Sequence, residues 1–239
     1  MMFSGRRARR TLFACVLICA SPAIAAQRAP VETVEISARP ITQFQIGHDE
    51  TRFGPFEFVG GLEMTSPARD FGALSALRFL KPGSDFIGVA DTGFWFFGTI
   101  AHDAGKRPSG VKNFRMQQMV DASGRPIDRK WKVDAEGLAV KDGIATVGFE
   151  RDQRVAQFKI DPDNMKAPIR QLDYLVPAHE LRQNRGFETV AHANPYGQHA
   201  GGLVVVRRGA STRRATSTPP LSKGRTKASS PSSAMAIST

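Results

Sequence analysis

The chain has 239 residues and a formal net charge of +11, with 33 Lys and Arg against 22 Asp and Glu, and 41% of its residues are hydrophobic. That composition suits a globular domain, and the charge would suit a nucleic-acid binder if the fold carried it. It does not: Arg6, Arg7, Arg9 and Arg10 sit in the leader, and Arg207, Arg208, Arg213, Arg214, Lys223, Arg225 and Lys227 follow residue 206 with no acid among them. Residues 27–206 are therefore neutral, and no nucleic-acid partner is expected.

Residues 1–26 begin with a basic stretch, continue through the short apolar run TLFACVLICA and end on the small-residue pattern Ala23-Ile24-Ala25. This order reads as a signal peptide, cleaved near Ala25 or Ala26, and predicts a periplasmic or secreted protein. Arg9-Arg10-Thr11-Leu12-Phe13 loosely matches a twin-arginine signal, with the general export route as the alternative. No run is long enough to predict a membrane span. Both cysteines, Cys15 and Cys19, fall in the leader, which leaves the mature chain without a disulfide, a thiolate metal site or a cysteine nucleophile.

Downstream, short apolar stretches alternate with Gly, Pro and Asp turns. The predicted strands are 74–80, 85–91, 94–100, 136–140, 144–150, 154–160, 188–193 and 202–206, with one helical turn or two at 177–184 and irregular segments at 27–57 and 101–130. Three stretches repeat one pattern: GALSALRFLKPGSDFIGVADTG, DAEGLAVKDGIATVGFERDQ and RGFETVAHANPYGQHAGGLVVV. Each runs strand, turn, strand, and two run on to a third strand. A recurring small antiparallel unit predicts an all-β, β-propeller-like fold.

The repeat places Ser75, Glu136 and Glu188 at the start of the innermost strands, and Asp91 and Glu150 at the end of the next ones. Innermost strands line the channel of a propeller, so these positions converge at its mouth. Crowded carboxylates repel one another, and a cation or a basic substrate group is their natural partner. The alternative is that some cap turns or pair with Arg151 and Arg185. Arg78, Arg151 and Arg185 lie beside the acids and could clamp a phosphate or pair a carboxylate.

Other chemistry finds little support. Ser75 lacks the Gly-x-Ser-x-Gly context of a nucleophile elbow and reads as a channel residue. There is no His-Glu-x-x-His and no phosphate-binding loop. His192 and His199 flank a loop, where solvated histidines are commoner than ligands, and FWFFGTI reads as core.

At FGALSALRFL, FIGVADTGFWF, DAEGLAV, VGFERDQRV and NRGFETVA the sequence resembles the phytase-like esterases, a bacterial family described as "esterase-like activity of phytase". Asp-x-Glu-Gly and Asn-x-Gly-x-Glu are the more specific patterns. The resemblance implies an exported propeller with acids on one face, hydrolysing a small-molecule phosphoric or carboxylic ester. The reading that follows has a divalent cation, Ca²⁺, at the channel mouth. Glu136 and Glu188 are its first ligands and catalytic residues, Asp91 and Glu150 its second ligands, and Arg151 binds the anionic group. The alternatives are a non-catalytic periplasmic propeller that binds a ligand or protein, and an inactive truncated product.

The family pattern stops near residue 206, and residues 207–239 have no acid, no aromatic and no periodicity. They are expected to be a disordered basic tail, either natural or the frameshifted remnant of further blades. Residues 27–206 then form a partial propeller domain with several blades missing: three repeats are visible, at roughly 40 to 50 residues per blade. Oligomeric state is left open.

Overall fold

The computed structural model describes residues 29–174, 181, 186–196 and 200–207, and the backbone of 235–237. The expected signal peptide and, apart from Leu181, the helical turn expected at 177–184 lie outside the described residues.

The elements in chain order are β1 (Val31–Thr33), β2 (Ser37–Ile41), β3 (Arg52–Phe53), β4 (Phe56–Glu57), β5 (Gly61–Thr65), β6 (Leu74–Phe79), β7 (Asp85–Ala90), β8 (Phe94–His102), β9 (Pro108–Gln118) and α1 (Lys130–Val133). They continue with β10 (Ala135–Lys141), β11 (Ile144–Phe149), β12 (Arg154–Lys159), β13 (Arg170–Leu172), β14 (Phe187–His192), β15 (Leu203–Arg207) and β16 (Met235–Ile237). Three antiparallel sheets follow one another along the chain: β6-β7-β8-β9 with β1 beyond β9, then β10-β11-β12-β13, then β14-β15-β16. Each begins with its innermost strand and steps outward, and β10 packs against both β6 and β14. This is the all-β, propeller-like arrangement that the repeat predicts. Two small pairs, β2-β5 and β3-β4, form an excursion before the first sheet.

The sheets stack through their faces, which follows from period-2 patterning in strands buried on both sides. Ile87 and Val89 of β7 and Trp95 and Phe97 of β8 point one way and meet Leu138, Val147, Phe149 and Phe158 of the second sheet. Phe86, Phe96, Phe114 and Met116 fill the other face of the first sheet. Ala139, Val155 and Leu172 of the second sheet meet Phe187, Val190, Leu203 and Val205 of the third. Each fully buried large side chain here contributes about 1.5–3 kcal/mol relative to exposure.

Three segments expected to lack regular structure carry strands: 27–57 holds β1 to β4, 101–130 holds β9, and the tail holds β16. β9 is hidden in the sequence because Lys112, Asn113, Arg115, Gln117 and Gln118 break its apolar alternation, and Asn113 adopts φ 52°. Gln117 is buried all the same. Its Nε2 donates to the carbonyls of Ala29 (3.3 Å) and Met165 (3.0 Å), and its Oε1 accepts from the Met165 N–H at 2.8 Å. A satisfied amide of this kind is cheap to bury. At the other end of the chain, Met235–Ile237 pairs with Val205–Leu203 of β15, a strand the composition of the tail does not suggest. The rest of 208–239 lies outside the described residues. No helix among the described residues is long and apolar enough to cross a membrane.

Candidate metal centre

Each innermost strand carries a β-bulge near its start, and the extra residue is the one the repeat singles out. The β6–β7 register pairs Leu74 with Ala90 and Ala76 with Val89, skipping Ser75. The β10–β11 register pairs Ala135 with Phe149 and Gly137 with Gly148, skipping Glu136. The β14–β15 register pairs Phe187 with Arg207 and Thr189 with Val206, skipping Glu188. A bulge bends its strand and re-aims the unpaired side chain. Three equivalent bulges thus turn Ser75, Glu136 and Glu188 away from their ladders at the same end of three neighbouring strands.

Glycines in the two specific motifs let those strands approach. A Cβ on Gly137, of Asp-x-Glu-Gly, would lie 2.8 Å from the Val190 backbone nitrogen and 3.1 Å from the Thr189 carbonyl carbon. A Cβ on Gly186, of Asn-x-Gly-x-Glu, would lie 2.1 Å from the Glu150 carbonyl oxygen. Real Cβ atoms do not tolerate such contacts, so only glycine permits β14 to sit this close to β10 and to the end of β11.

The next ring of acids is set by backbone hydrogen bonds between neighbouring strand ends within each sheet. The Asp91 N–H donates to the Ala73 carbonyl at 3.0 Å, and the Glu150 N–H donates to the Asp134 carbonyl at 2.8 Å. Asp91 opens the turn Asp91-Thr92-Gly93. There Gly93, at φ 85°, lies against the Val133 side chain with no space for a Cβ, and so α1 is packed onto the turn. Asp134, which ends α1, is buried beneath it.

One oxygen from each of Asp91, Asp134 and Glu136 lies within 4.8 Å of the others. Lys130 Nζ is 3.5 Å from Asp91 Oδ2, and Arg151 Nε is 2.7 Å from Asp134 Oδ2. Asp91 Oδ1 is buried with no hydrogen-bond partner among the described residues. Burial is the largest influence on Asp134 and pushes its carboxyl above the ordinary range. Arg151 opposes this, Asp91 adds to it, Lys130 opposes it and Glu150 adds to it. Burial likewise raises Glu136, opposed by a hydrogen bond from Ser75 and reinforced by Glu188, Asp134 and Glu150. Five carboxylates therefore share one electrostatic neighbourhood with two cations, an excess of negative charge that favours a bound cation.

All four predicted metal ligands lie in this neighbourhood, with Asp91 and Glu136 in the tight group and Glu150 and Glu188 beside it. Arg151 is also present, already paired with Asp134. Asp134 was visible in Asp-x-Glu but is not selected by the repeat, because its equivalents are Ala73 and Gly186. Lys130 was hidden because α1 gives no sequence signal.

Arg78 lies elsewhere: Nη1 donates to the Leu77 carbonyl (2.7 Å) and Nη2 to that of Val190 (3.4 Å), tying β6 to β14. His192 ends β14, about 13 Å along the strand from Glu188. Both its ring nitrogens are buried without a partner among the described residues. Burial first, then Lys141, lowers its pKa, while Asp142 opposes them. Arg185 and His199 lie outside the described residues.

The family described as "Esterase-like activity of phytase" (Phytase-like) matches residues 69–218. No curated protein matches the chain. Among solved structures, the crystal structure of Myxococcus xanthus glutaminyl cyclase is similar at 12% identity and a TM-score of 0.39, covering 64% of this chain and 57% of that one. The chain thus spans a little over half the length of that protein.

Proposed function

We propose that this chain, which belongs to the phytase-like family, is an exported hydrolase of small phosphoric or carboxylic esters that works with a divalent cation, Ca²⁺, held by Asp91, Asp134 and Glu136. The observation that carries the reading is the approach of three carboxylate oxygens within 4.8 Å. The donor set fits a hard cation: every candidate ligand is a carboxylate oxygen, and carboxylates supply the oxygen shell that Ca²⁺ prefers. When bound, such an ion polarises the ester oxygen and lowers the pKa of an attacking water.

The residues of the chain supply the rest. Glu188, on the bulge equivalent to that of Glu136, takes the proton of the attacking water and returns it to the leaving oxygen as the ester bond breaks. Arg151 turns from Asp134 to the anionic group of the substrate, since a bound cation relieves Asp134 of its need for a counter-charge. Lys130 leaves Asp91 for the same reason.

A second reading has its own observation. Lys130 and Arg151 already neutralise two of the acids, as in a purely structural ion-pair network on a non-catalytic binding propeller. Turnover separates the two. The purified protein should hydrolyse 4-nitrophenyl phosphate or 4-nitrophenyl acetate, lose that activity to EDTA and regain it with added Ca²⁺. Absence of turnover with either ester, or turnover indifferent to EDTA, would remove the metal hydrolase reading.

A further inference from the structure

The three bulge residues occupy equivalent places, yet they differ in chemistry. Glu136 and Glu188 bring charge, whereas Ser75 brings a hydroxyl. Ser75 Oγ lies 3.4 Å from the Ala73 carbonyl, long for an O–H···O bond, which leaves its one proton for the Glu136 carboxylate on the neighbouring bulge. Ser75 is half-buried, on the strand that precedes Asp91 and pairs with β7. The first sheet thus contributes one acid, Asp91, and one neutral donor to the mouth. The second contributes Asp134, Glu136 and Glu150.

We propose that Ser75 is the positioning and selectivity residue of this centre: its hydroxyl holds Glu136 toward Asp91 and Asp134, and its neutrality keeps the first-sheet side of the mouth open to an anionic substrate oxygen. The inference rests on the cation reading above. A glutamate at the third bulge would ring the mouth with like charge. The cation would be held more tightly, and an anion approaching it would be repelled. A hydroxyl fixes Glu136 without that penalty.

The test is calorimetry on the purified protein, titrated first with Ca²⁺ and then, when loaded, with inorganic phosphate. Ser75→Ala should weaken Ca²⁺ binding roughly tenfold, as loss of a group that orients a ligand does, and Ser75→Thr, which keeps the hydroxyl, should restore it. Ser75→Glu should bind Ca²⁺ more tightly than the wild type and bind phosphate more weakly. If Ser75→Ala matches the wild type, or Ser75→Glu leaves phosphate binding unchanged, the role of Ser75 is overturned while the cation centre stands. If the wild type takes up no Ca²⁺, the cation reading fails and takes this inference with it.

Discussion

Replacing Gly186 by alanine should damage both the fold and the metal centre, although residue 186 bears no chemistry of its own. A Cβ at this position would lie 2.1 Å from the Glu150 carbonyl oxygen, 2.8 Å from its carbonyl carbon and 2.9 Å from its Cα. These are backbone atoms, and the Glu150 N–H is tied to the Asp134 carbonyl at 2.8 Å, so neither side can yield by a rotamer change. The start of β14 must retreat by about 1.3 Å to reach ordinary contact at 3.4 Å, at an overpacking cost of about 1–3 kcal/mol. For a domain of this size each kcal/mol lowers the melting temperature by roughly 2–4 °C, so a drop of about 2–12 °C is expected. Glu188 lies two residues on and moves with the strand, and a displacement near 1 Å at a catalytic group can cost about 100-fold in turnover. Differential scanning calorimetry and EDTA-sensitive ester hydrolysis, measured side by side, check both parts. A Gly186→Ala protein with wild-type melting and turnover would refute the claim that glycine is there to allow close approach.

Three further outcomes are expected. Lys130→Met removes a competing ammonium from Asp91, and because that pair is half exposed, Ca²⁺ affinity by calorimetry should rise only modestly, roughly threefold. Glu136→Gln should weaken Ca²⁺ binding sharply by calorimetry, and Glu188→Gln should lower ester turnover far more than Ca²⁺ affinity, whereas Glu32→Ala, on β1, should leave both unchanged. Burial raises the carboxyls of Asp134 and Glu136; the cost of charging them is absent below their unfolded values and appears as pH rises through their folded ones. Ca²⁺ binds the charged forms, so the rise in melting temperature that it produces should be larger at about pH 8 than at about pH 5, and an equal rise at both would count against these two ligands.

The repeat in the sequence carried much of this architecture because strand alternation and blade recurrence are local and periodic. Ser75, Glu136 and Glu188 align by eye, and the structure gives the alignment a cause in three matching bulges. The partnerships were not legible. Arg151 had two plausible roles in sequence, and only the fold shows it 2.7 Å from Asp134. Asp134 lies outside the repeat: its two equivalents, Ala73 and Gly186, are not acids, so symmetry alone does not select the residue at the centre of the cluster. β9 was hidden because a strand whose buried polar residue is satisfied by backbone groups, as Gln117 is, need not alternate cleanly. The glycines of the two motifs could be marked as special from sequence, but their reason, backbone against backbone between separate sheets, is a tertiary fact.

The central claim is that Asp91, Asp134 and Glu136 hold a cation. Crystals of the protein soaked in Mn²⁺, an anomalous scatterer that accepts the same carboxylate ligands, would test it most directly. The expected result is an anomalous difference peak bounded by these three carboxylates, with Lys130 turned away from Asp91. A map without a peak there, with Lys130 and Arg151 still seated on Asp91 and Asp134, would contradict it.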